Sequence, residues 1–517
     1  MNENRLDTLF ENGTFIVTCE MIPGRGADEA HQSKELEVAR ELAIGGRVHA
    51  MSITDNPSGN PALLADCFAE DLLAAGITPL VHMSCKDRNR SQLESQLWAL
   101  ERRGIHHVLA MTGDYPVTGF SGRPRPVFDL DAVQLLQMIT EMNKGLQTKA
   151  GKGLVTLKPT DFFPGAVASP FKWTEGELLP QYYKLEKKIE AGARFIISQV
   201  GYDARKMDEL IRYLRLRELN VPVIANIFIL GAGVGKMMNA GNFPGCFVSD
   251  ELLAKLQEDA KSEDKGKSAY RLRAAKMIAI AKGLGYAGVH LGGINITAAD
   301  IEQVLDAADA MQDNWQEYAR EMSYGKKGGF YLFERDSATG LNLDVAASRV
   351  ESRTDLKVQG NYPLSRVAHK IAFTKGKGIY PAMSWVSHRG EAAKGMHRGH
   401  HIEHLGKVFM YGCRDCGDCG LHATAYICPM SQCPKNQRNG PCGGSSDGWC
   451  EVYPGERYCI YYKAYHRLKR YEKETSLSEM IWPPVNWDFF QTSAWSNYHH
   501  DRDNNALGLK MPKRPEL

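Results

Sequence analysis

The sequence has no long apolar run and no excess of charge of either sign. Its 63 lysine and arginine residues nearly balance 61 acidic residues, so the net charge is only +2. So weak a field gives no reason to expect nucleic acid or a membrane surface as a partner. No stretch approaches the roughly 18 uninterrupted apolar residues of a membrane span, and the polar amino terminus carries no export signal. We therefore expect a soluble, cytoplasmic protein.

The common nucleotide-binding fingerprints are also missing. Gly231, Gly233 and Gly235 precede Lys236, but Leu230 stands where a phosphate loop requires its first glycine. No GxGxxG loop follows the first predicted strand, so a Rossmann fingerprint is not available to hold a cofactor.

Cysteine is scarce over the first 410 residues and dense after them. Four of the twelve cysteines are scattered over that long stretch, and the other eight fall within 47 residues. These eight are Cys413, Cys416, Cys419, Cys428, Cys433, Cys442, Cys450 and Cys459. A cysteine-dense patch in a cytosolic chain favours metal binding over disulfides, because the cytosol keeps thiols reduced.

The spacing within this patch favours iron–sulfur chemistry. Cys413, Cys416 and Cys419 form C-x₂-C-x₂-C, and Cys428 precedes a proline, which is similar to a bacterial ferredoxin ligand run with a longer last gap. Eight thiolates could hold two [4Fe-4S] clusters. Two structural zinc sites with four cysteines each are the alternative. Four histidines are further possible ligands, or simply a solvated surface segment: His397, His400, His401 and His404.

The first 316 residues alternate short apolar runs with helix-period segments. Such continuous runs are typical of buried parallel strands. The predicted strands are Phe15–Ile22, His49–Thr54, Pro79–Ser84, His107–Thr112, Leu154–Lys158, Phe195–Val200, Pro222–Phe228 and Ala287–Leu291. Eight strand–helix units predict a (β/α)₈ TIM barrel, with a doubly wound open sheet as the alternative. We expect the α/β barrel over residues 1–316, a connecting segment over 317–385 and a small cysteine-rich metal-binding domain over 386–517.

Polar residues cluster at the carboxyl ends of the predicted strands, where barrel enzymes place their chemistry. They are Glu20, Thr54, Asp55, His82, Ser84, Thr112, Gly113, Asp114 and Gln199. Each alone is an ordinary strand-end residue, but together they indicate a site on one rim.

The motifs that carry these residues resemble the methylenetetrahydrofolate reductase family. They are Cys19-Glu20-Met21-Ile22-Pro23, Ser52-Ile53-Thr54-Asp55-Asn56-Pro57, the run from His82 to Arg90, Thr112-Gly113-Asp114, Lys188-Ile189-Glu190-Ala191-Gly192-Ala193 and Ile197-Ser198-Gln199. The resemblance covers about residues 10–316 and is closest to the branch of acetogenic and related anaerobic metabolism. Through its cysteine order and the segment from Arg438 to Gly444, the tail resembles the C-terminal domain of the same family over roughly residues 385–490.

The resemblance implies roles for individual residues. Glu20 matches the catalytic general acid, whose pKa we expect to be raised towards neutrality by desolvation. Asp114 matches a residue beside the flavin and the pterin, and Gln199 a substrate-binding glutamine. The implied flavin contacts are Thr54, His82, Thr112, Gly113, Asp114, Phe163 and Lys188.

The chain departs from the family pattern where the phosphate and adenosine half of FAD would lie. The family's Arg-Gly-Asp becomes Thr112-Gly113-Asp114, its Ala-Tyr-Pro becomes Phe162-Phe163-Pro164, and Gln181 and Lys184 replace other polar residues. FMN is therefore as plausible as FAD.

The resemblance predicts an enzyme that converts 5,10-methylenetetrahydrofolate to 5-methyltetrahydrofolate, or the reverse, through a flavin. A cluster beside the flavin would relay single electrons from a redox partner protein, that is, from a carrier other than a nicotinamide. NAD(P)H is the alternative electron donor, and a homo-oligomer is possible. One alternative is a methyltetrahydrofolate-binding methyl-transfer component that works with a corrinoid protein. Another is a barrel with a structural zinc domain that docks a redox partner.

Overall fold

The fold is built around a closed barrel of eight parallel strands. A computed structural model describes residues 5–349, 360–392 and 396–515. The barrel strands are β1 Ile16–Met21, β2 Ala50–Ile53, β3 Pro79–Ser84, β4 His107–Met111, β5 Phe163–Ala168, β6 Phe195–Ser198, β7 Val223–Ile229 and β8 Gly288–Gly293. Each strand pairs with the next along the chain, and β8 pairs with β1, so the sheet has no open edge. The predicted barrel is confirmed, and the open sheet is wrong.

Helices surround the barrel and form most of the remainder. Those between Leu6 and Ala310 are Leu6–Glu11, Ala30–Gly45, Ala65–Ala74, Arg90–Arg102, Ala132–Lys144, Glu175–Glu190, Ala204–Leu216, Ala232–Asn239, Asp250–Asp259, Lys267–Leu284 and Ala298–Ala310. Later helices are Trp315–Glu321, Tyr362–Ala372, Tyr380–Ala392, Met396–Tyr411, Pro429–Gln432, Ile460–Lys469, Ala494–His499 and Asn504–Leu507. Short 3₁₀ turns are Pro57–Gly59, Gln312–Asn314, His422–Thr424, Glu474–Ser478 and Trp487–Phe489. Within the described ranges, no helix is long and apolar enough to cross a membrane.

The predicted fifth strand is wrong. Gly153–Thr156 instead pairs with Gln147–Ala150 as an exposed antiparallel hairpin outside the barrel. The fifth barrel strand is β5, whose apolar run is interrupted by Pro164 and Gly165, so its pattern is weak in the sequence. Gly165 is needed there, because a Cβ at this position would lie 2.3 Å from the ring of Phe195.

The amino ends of the barrel strands are closed by an apolar cluster. Leu6 and Phe10 of the first helix pack against Phe163 and Phe195, whose rings stack with centroids 5.5 Å apart. Phe163 therefore lies in this apolar cluster, which plugs the amino end of the barrel. The carboxyl ends of the strands form the opposite rim of the barrel.

The first part of the connecting segment packs onto the barrel. A hairpin of β9 Phe333–Arg335 and β10 Asn342–Ala346 lies against the helix Ala204–Leu216. The buried amide of Asn342 donates to the carboxylate of Asp208 at 2.9 Å and accepts from Arg205 at 2.9 Å.

The cysteine-rich domain packs on the carboxyl rim of the barrel. Its strands are short: β11 Trp449–Cys450, β12 Tyr453–Tyr458, β13 Met480–Ile481 and β14 Leu509–Lys510. Asp131 caps the helix Ala132–Lys144 with one carboxylate oxygen, and its other oxygen accepts from the backbone and side chain of Asn439 at 2.9 and 3.1 Å. The helix Ile460–Lys469 packs against Glu175–Glu190, where the hydroxyl of Tyr465 donates to Glu175 at 2.8 Å. Buried polar contacts of this kind fix the orientation of the two parts.

Candidate functional site

A cavity of about 1140 Å³, including the space at its mouth, opens on the carboxyl rim of the barrel. It brings together these residues predicted from the sequence: Glu20, Thr54, Asp55, His82, Thr112, Gly113, Asp114, Lys188 and Gln199. The cysteine-rich domain covers the cavity with Lys435, Cys442, Gly443, Gly444 and Glu451. Phe163, the remaining predicted flavin contact, is in the plug at the opposite end of the barrel.

Glu20 is paired with a histidine that the sequence analysis missed. His290 lies on β8 beside β1, with its Nε2 3.7 Å from Oε2 of Glu20, and its Nδ1 is 2.8 Å from the hydroxyl of Thr18. Burial raises the pKa of Glu20, but the hydrogen bond and charge of His290 and the charge of His82 outweigh it. The net pKa is below the ordinary value, so the expectation of a raised pKa is wrong.

His82 presents a neutral ring to the cavity. Its Nε2 lies 2.6 Å from the hydroxyl of Ser52, and burial lowers its pKa to about 4. At neutral pH this imidazole is therefore uncharged, and its charge acts on Glu20 only in the acid range where His82 becomes protonated.

The turn after β4 holds Asp114 at the edge of the cavity. Gly113 has φ +84°, and a Cβ there would lie 2.8 Å from the Cβ of Ser84, so both backbone conformation and space require glycine. The carboxylate of Asp114 accepts from the backbone N–H of Ser58 at 2.8 Å.

Lys188 and Gln199 line the far side of the cavity. The ammonium of Lys188 donates to the carbonyl of Val167 at 2.5 Å, and burial lowers its pKa to about 7. The side-chain oxygen of Gln199 accepts from the backbone N–H of Val200 at 2.9 Å, which fixes the amide at the end of β6.

Three further residues of the cavity lining were not predicted from the sequence. Ser169 follows β5, Asn226 lies on β7 and His290 on β8, and all three line the cavity. The misplaced fifth strand concealed Ser169. Lys435 and Glu451 carry no sequence signal for the site, since the chain reaches the barrel rim only in the folded domain.

A segment of the cysteine-rich domain occupies the side of the rim where the adenosine half of FAD is implied to lie. The side-chain oxygen of Gln437 accepts from the hydroxyl of Thr112 at 3.1 Å and from the ammonium of Lys184 at 2.8 Å. Lys184 also donates to the carbonyl of Gly440 at 3.2 Å. These residues therefore already have partners within the chain and do not fit an adenosine half, whereas the rim cavity beside them remains open.

The eight clustered cysteines separate into two groups of four. Cys413, Cys416, Cys419 and Cys428 line one small cavity and form the first group. Burial, with smaller contributions from Cys419 and Cys428, raises the pKa of Cys416 to about 12.

The second group is Cys433, Cys442, Cys450 and Cys459. Burial raises the pKa of Cys433 to about 11, with Cys450 adding to the increase, and Cys442 and Cys433 act in the same way on Cys459. Cys442 also lines the rim cavity, so the second group is the one that adjoins the barrel site.

All twelve cysteines lie in the described residues and are free thiols. In those same residues, no set of three or more His, Cys, Asp or Glu side chains has the geometry to hold a metal ion. His400 instead contacts Asp415, with 2.8 Å between Nε2 and Oδ1. The side chain of His397 lies outside the described part of the chain.

Two family models match the sequence. Residues 5–309 match the methylenetetrahydrofolate reductase model, and residues 394–488 match a domain described as the methylene-tetrahydrofolate reductase C terminal. The chain belongs to the methylenetetrahydrofolate reductase family. Its predicted place in the acetogenic branch stays a prediction.

The curated methylenetetrahydrofolate reductases that it matches are distant. Methylenetetrahydrofolate reductase (NADH) 1 of Arabidopsis thaliana is 23% identical over 233 residues, which are 44% of this chain and 37% of that protein. Methylenetetrahydrofolate reductase 2 of Schizosaccharomyces pombe is 26% identical over 203 residues, 36% of this chain and 28% of that protein. The matches thus span well under half the length of these relatives.

Two solved structures are similar to this chain at low identity and low TM-score. A protein from Clostridium thermocellum, whose description says that it binds two copies of 5-methyl-5,6,7,8-tetrahydrofolic acid, has a TM-score of 0.41 and 14% identity over 60% of this chain and 99% of its own. An F420-dependent secondary alcohol dehydrogenase has a TM-score of 0.36 and 12% identity over 57% of this chain and 99% of its own.

Proposed function

We propose that this chain interconverts 5,10-methylenetetrahydrofolate and 5-methyltetrahydrofolate on the carboxyl rim of the barrel. The observation that carries the proposal is the meeting of Glu20, Asp114 and Gln199 around one cavity in a chain of this family. Gln199 would position the folate, and Asp114 would face the pterin and stabilise the cationic iminium form of the substrate. A carboxylate favours a nearby cation in a site from which water is largely excluded.

Proton transfer would use Glu20 together with His290. Opening the imidazolidine ring of the substrate requires a proton on the departing nitrogen. Because its pKa is lowered, the Glu20 carboxyl is ionised at neutral pH and does not hold a proton by itself. We therefore infer that the Glu20–His290 pair shares the required proton. Thr18 would orient the imidazole from its other nitrogen.

We propose FMN rather than FAD as the flavin, which when bound supplies hydride transfer. Thr54, His82, Asp114 and Lys188 surround the open part of the rim cavity and would hold the ring system. The contacts of Gln437 with Thr112 and Lys184 argue against an adenosine half on that side.

We further propose that each cysteine group holds an iron–sulfur cluster, with zinc as the alternative. Four soft thiolates per group suit either metal centre. Because Cys442 lines the rim cavity, the second group is the one through which single electrons from a redox partner protein would reach the barrel site. NAD(P)H, which donates a hydride, would instead reduce the flavin directly.

Replacement of Glu20 tests the proposed reaction. Glu20→Gln should lower turnover of 5,10-methylenetetrahydrofolate by about 10²–10⁴-fold, since proton transfer contributes that much in typical enzymes, and should leave flavin binding intact. Glu37→Gln, an exposed change on the helix Ala30–Gly45, is the matched control. Turnover like that of the wild type in Glu20→Gln would contradict the assignment. Corrinoid-dependent methyl transfer without net redox would favour the methyl-transfer alternative.

A further inference from the structure

A second cavity lies between the loop after β4 and the cysteine-rich domain. It has a volume of about 1360 Å³, including the space at its mouth. Tyr115, which follows Asp114 of the rim site, lines one side, and Arg414 and Arg457 of the cysteine-rich domain line the other. The cavity is thus separate from the rim site but adjoins the same loop.

The charge of this cavity is of one sign. Arg125, Arg414 and Arg457 line it, and among the described residues that do so none is acidic. The nearby carboxylate of Asp129 is bound by Arg90, so it does not offset the three guanidinium groups. Three arginines without a carboxylate attract an anion, and the planar guanidinium fork matches phosphate.

The walls supply aromatic surface as well as charge. Trp487 and Phe490 line the cavity and keep 47% and 49% of their surface exposed. The guanidinium of Arg457 lies 4.4 Å from the ring centroid of Tyr453, which aligns that charge with an aromatic face. Exposed aromatic faces beside arginine are suited to stacking with a planar ring.

The cavity also reaches both cysteine groups. Cys416 of the first group and Cys433 of the second line it, so a ligand bound there would lie next to both. We propose that this cavity binds a nucleotide, with its phosphate on Arg414 and Arg457 and its planar ring on Trp487. Nucleotide binding at this cavity does not rest on the proposed function.

Equilibrium dialysis of the full chain with ADP, and separately with NADH, tests the site without turnover. We expect saturable binding to the wild type and binding weaker by about tenfold or more in Arg414→Met/Arg457→Met, because two phosphate contacts are lost. Trp487→Ala should weaken the binding of ADP and NADH but not that of pyrophosphate, which has no ring to stack. Arg40→Met, an exposed change on the barrel helix Ala30–Gly45, is the matched control.

Three results would overturn the proposal. The first is nucleotide binding that is unchanged in the double variant. The second is pyrophosphate binding as tight as ADP binding, with no effect of Trp487→Ala on either. The third is displacement of bound ADP by tetra-γ-glutamate at lower concentration than NADH requires. The last would assign the arginines to an acidic folate tail. Arg414→Lys keeps the charge but removes the planar fork, so this variant should bind the nucleotides with intermediate affinity. Because the change is conservative, it serves as a control for a folding defect in the double variant. Absence of folate turnover by the wild-type chain, with nucleotide binding observed, would contradict only the proposed function.

Discussion

The ammonium of Lys435 donates to the backbone carbonyl of Gly113 across a distance of 2.8 Å. This bond joins the cysteine-rich domain to the turn that bears Asp114. Lys435 is also paired with Glu451, and both side chains are nearly buried, with 4% and 6% exposed. Burial lowers the pKa of Lys435, but Glu451, Cys442 and Asp114 raise it by more, so the group is a cation. The barrel site is therefore partly built by the domain that covers it.

Lys435→Met should destabilise the protein by about 3–5 kcal/mol, because it leaves the buried carboxylate of Glu451 without the positive charge that balances it. Lys435→Met/Glu451→Met should recover most of that loss but not folate turnover, since the turn at Gly113 stays unanchored. Urea unfolding followed by tryptophan fluorescence measures the first effect, and steady-state kinetics the second. Full turnover in the double variant would show that the anchor is dispensable. Lys34→Met, an exposed change, is the control.

His290→Gln should raise the pKa of the Glu20 carboxyl. Burial remains in the variant, whereas the hydrogen bond and positive charge that lower this pKa are removed. The pH dependence of the ¹³C chemical shift of labelled glutamate, assigned with Glu20→Gln, measures the change. An unchanged or lowered pKa would contradict the pairing.

Asp55→Asn should cost about 3–5 kcal/mol at neutral pH, because Arg88 would be left buried without its carboxylate. In the wild type, the two guanidinium nitrogens of Arg88 lie 2.8 and 3.0 Å from the carboxylate oxygens. Burial raises the pKa of Asp55, but Arg88 and Ser84 together lower it by more. The net pKa is therefore below the ordinary value.

The sign of the pH dependence at Asp55 follows. A carboxyl with a lowered native pKa stabilises the fold above its unfolded pKa, about 4, and loses that contribution as the pH falls. The difference in unfolding free energy between wild type and Asp55→Asn should therefore shrink between about pH 5 and pH 3. A constant difference across urea titrations at these pH values would contradict the ion pair.

Cys416→Ser and Cys450→Ser should each remove about half of the bound metal, because each affects one group of four ligands. Iron and acid-labile sulfide analysis of protein purified without oxygen measures the loss. Cys67→Ser, an exposed thiol far outside the cluster in sequence, should lose none. Zinc without sulfide would make the domain structural, and loss of all metal in either variant would contradict two independent groups.

Local patterns in the sequence were enough to predict a barrel, seven of its eight strands and most of its rim. Strands such as Pro79–Ser84 are continuous apolar runs buried on both faces, and parallel strands bring their carboxyl ends to one rim. Glu20, His82 and Asp114 could therefore be placed together from local pattern and family motifs. The eight cysteines were equally plain, because no packing argument is needed to find them.

The relationships between distant segments became visible only in the folded chain. The local pattern of Leu154 and Val155 is typical of a strand, yet this segment lies outside the barrel. The fifth barrel position belongs to β5, whose Gly165 leaves room for the ring of Phe195. The pKa of Glu20 depends on His290, 270 positions away along the chain. The division of the cysteines into two groups and the contact of Lys435 with Gly113 follow from docking of the last domain. Such effects depend on distances through space, which spacing along a chain does not fix.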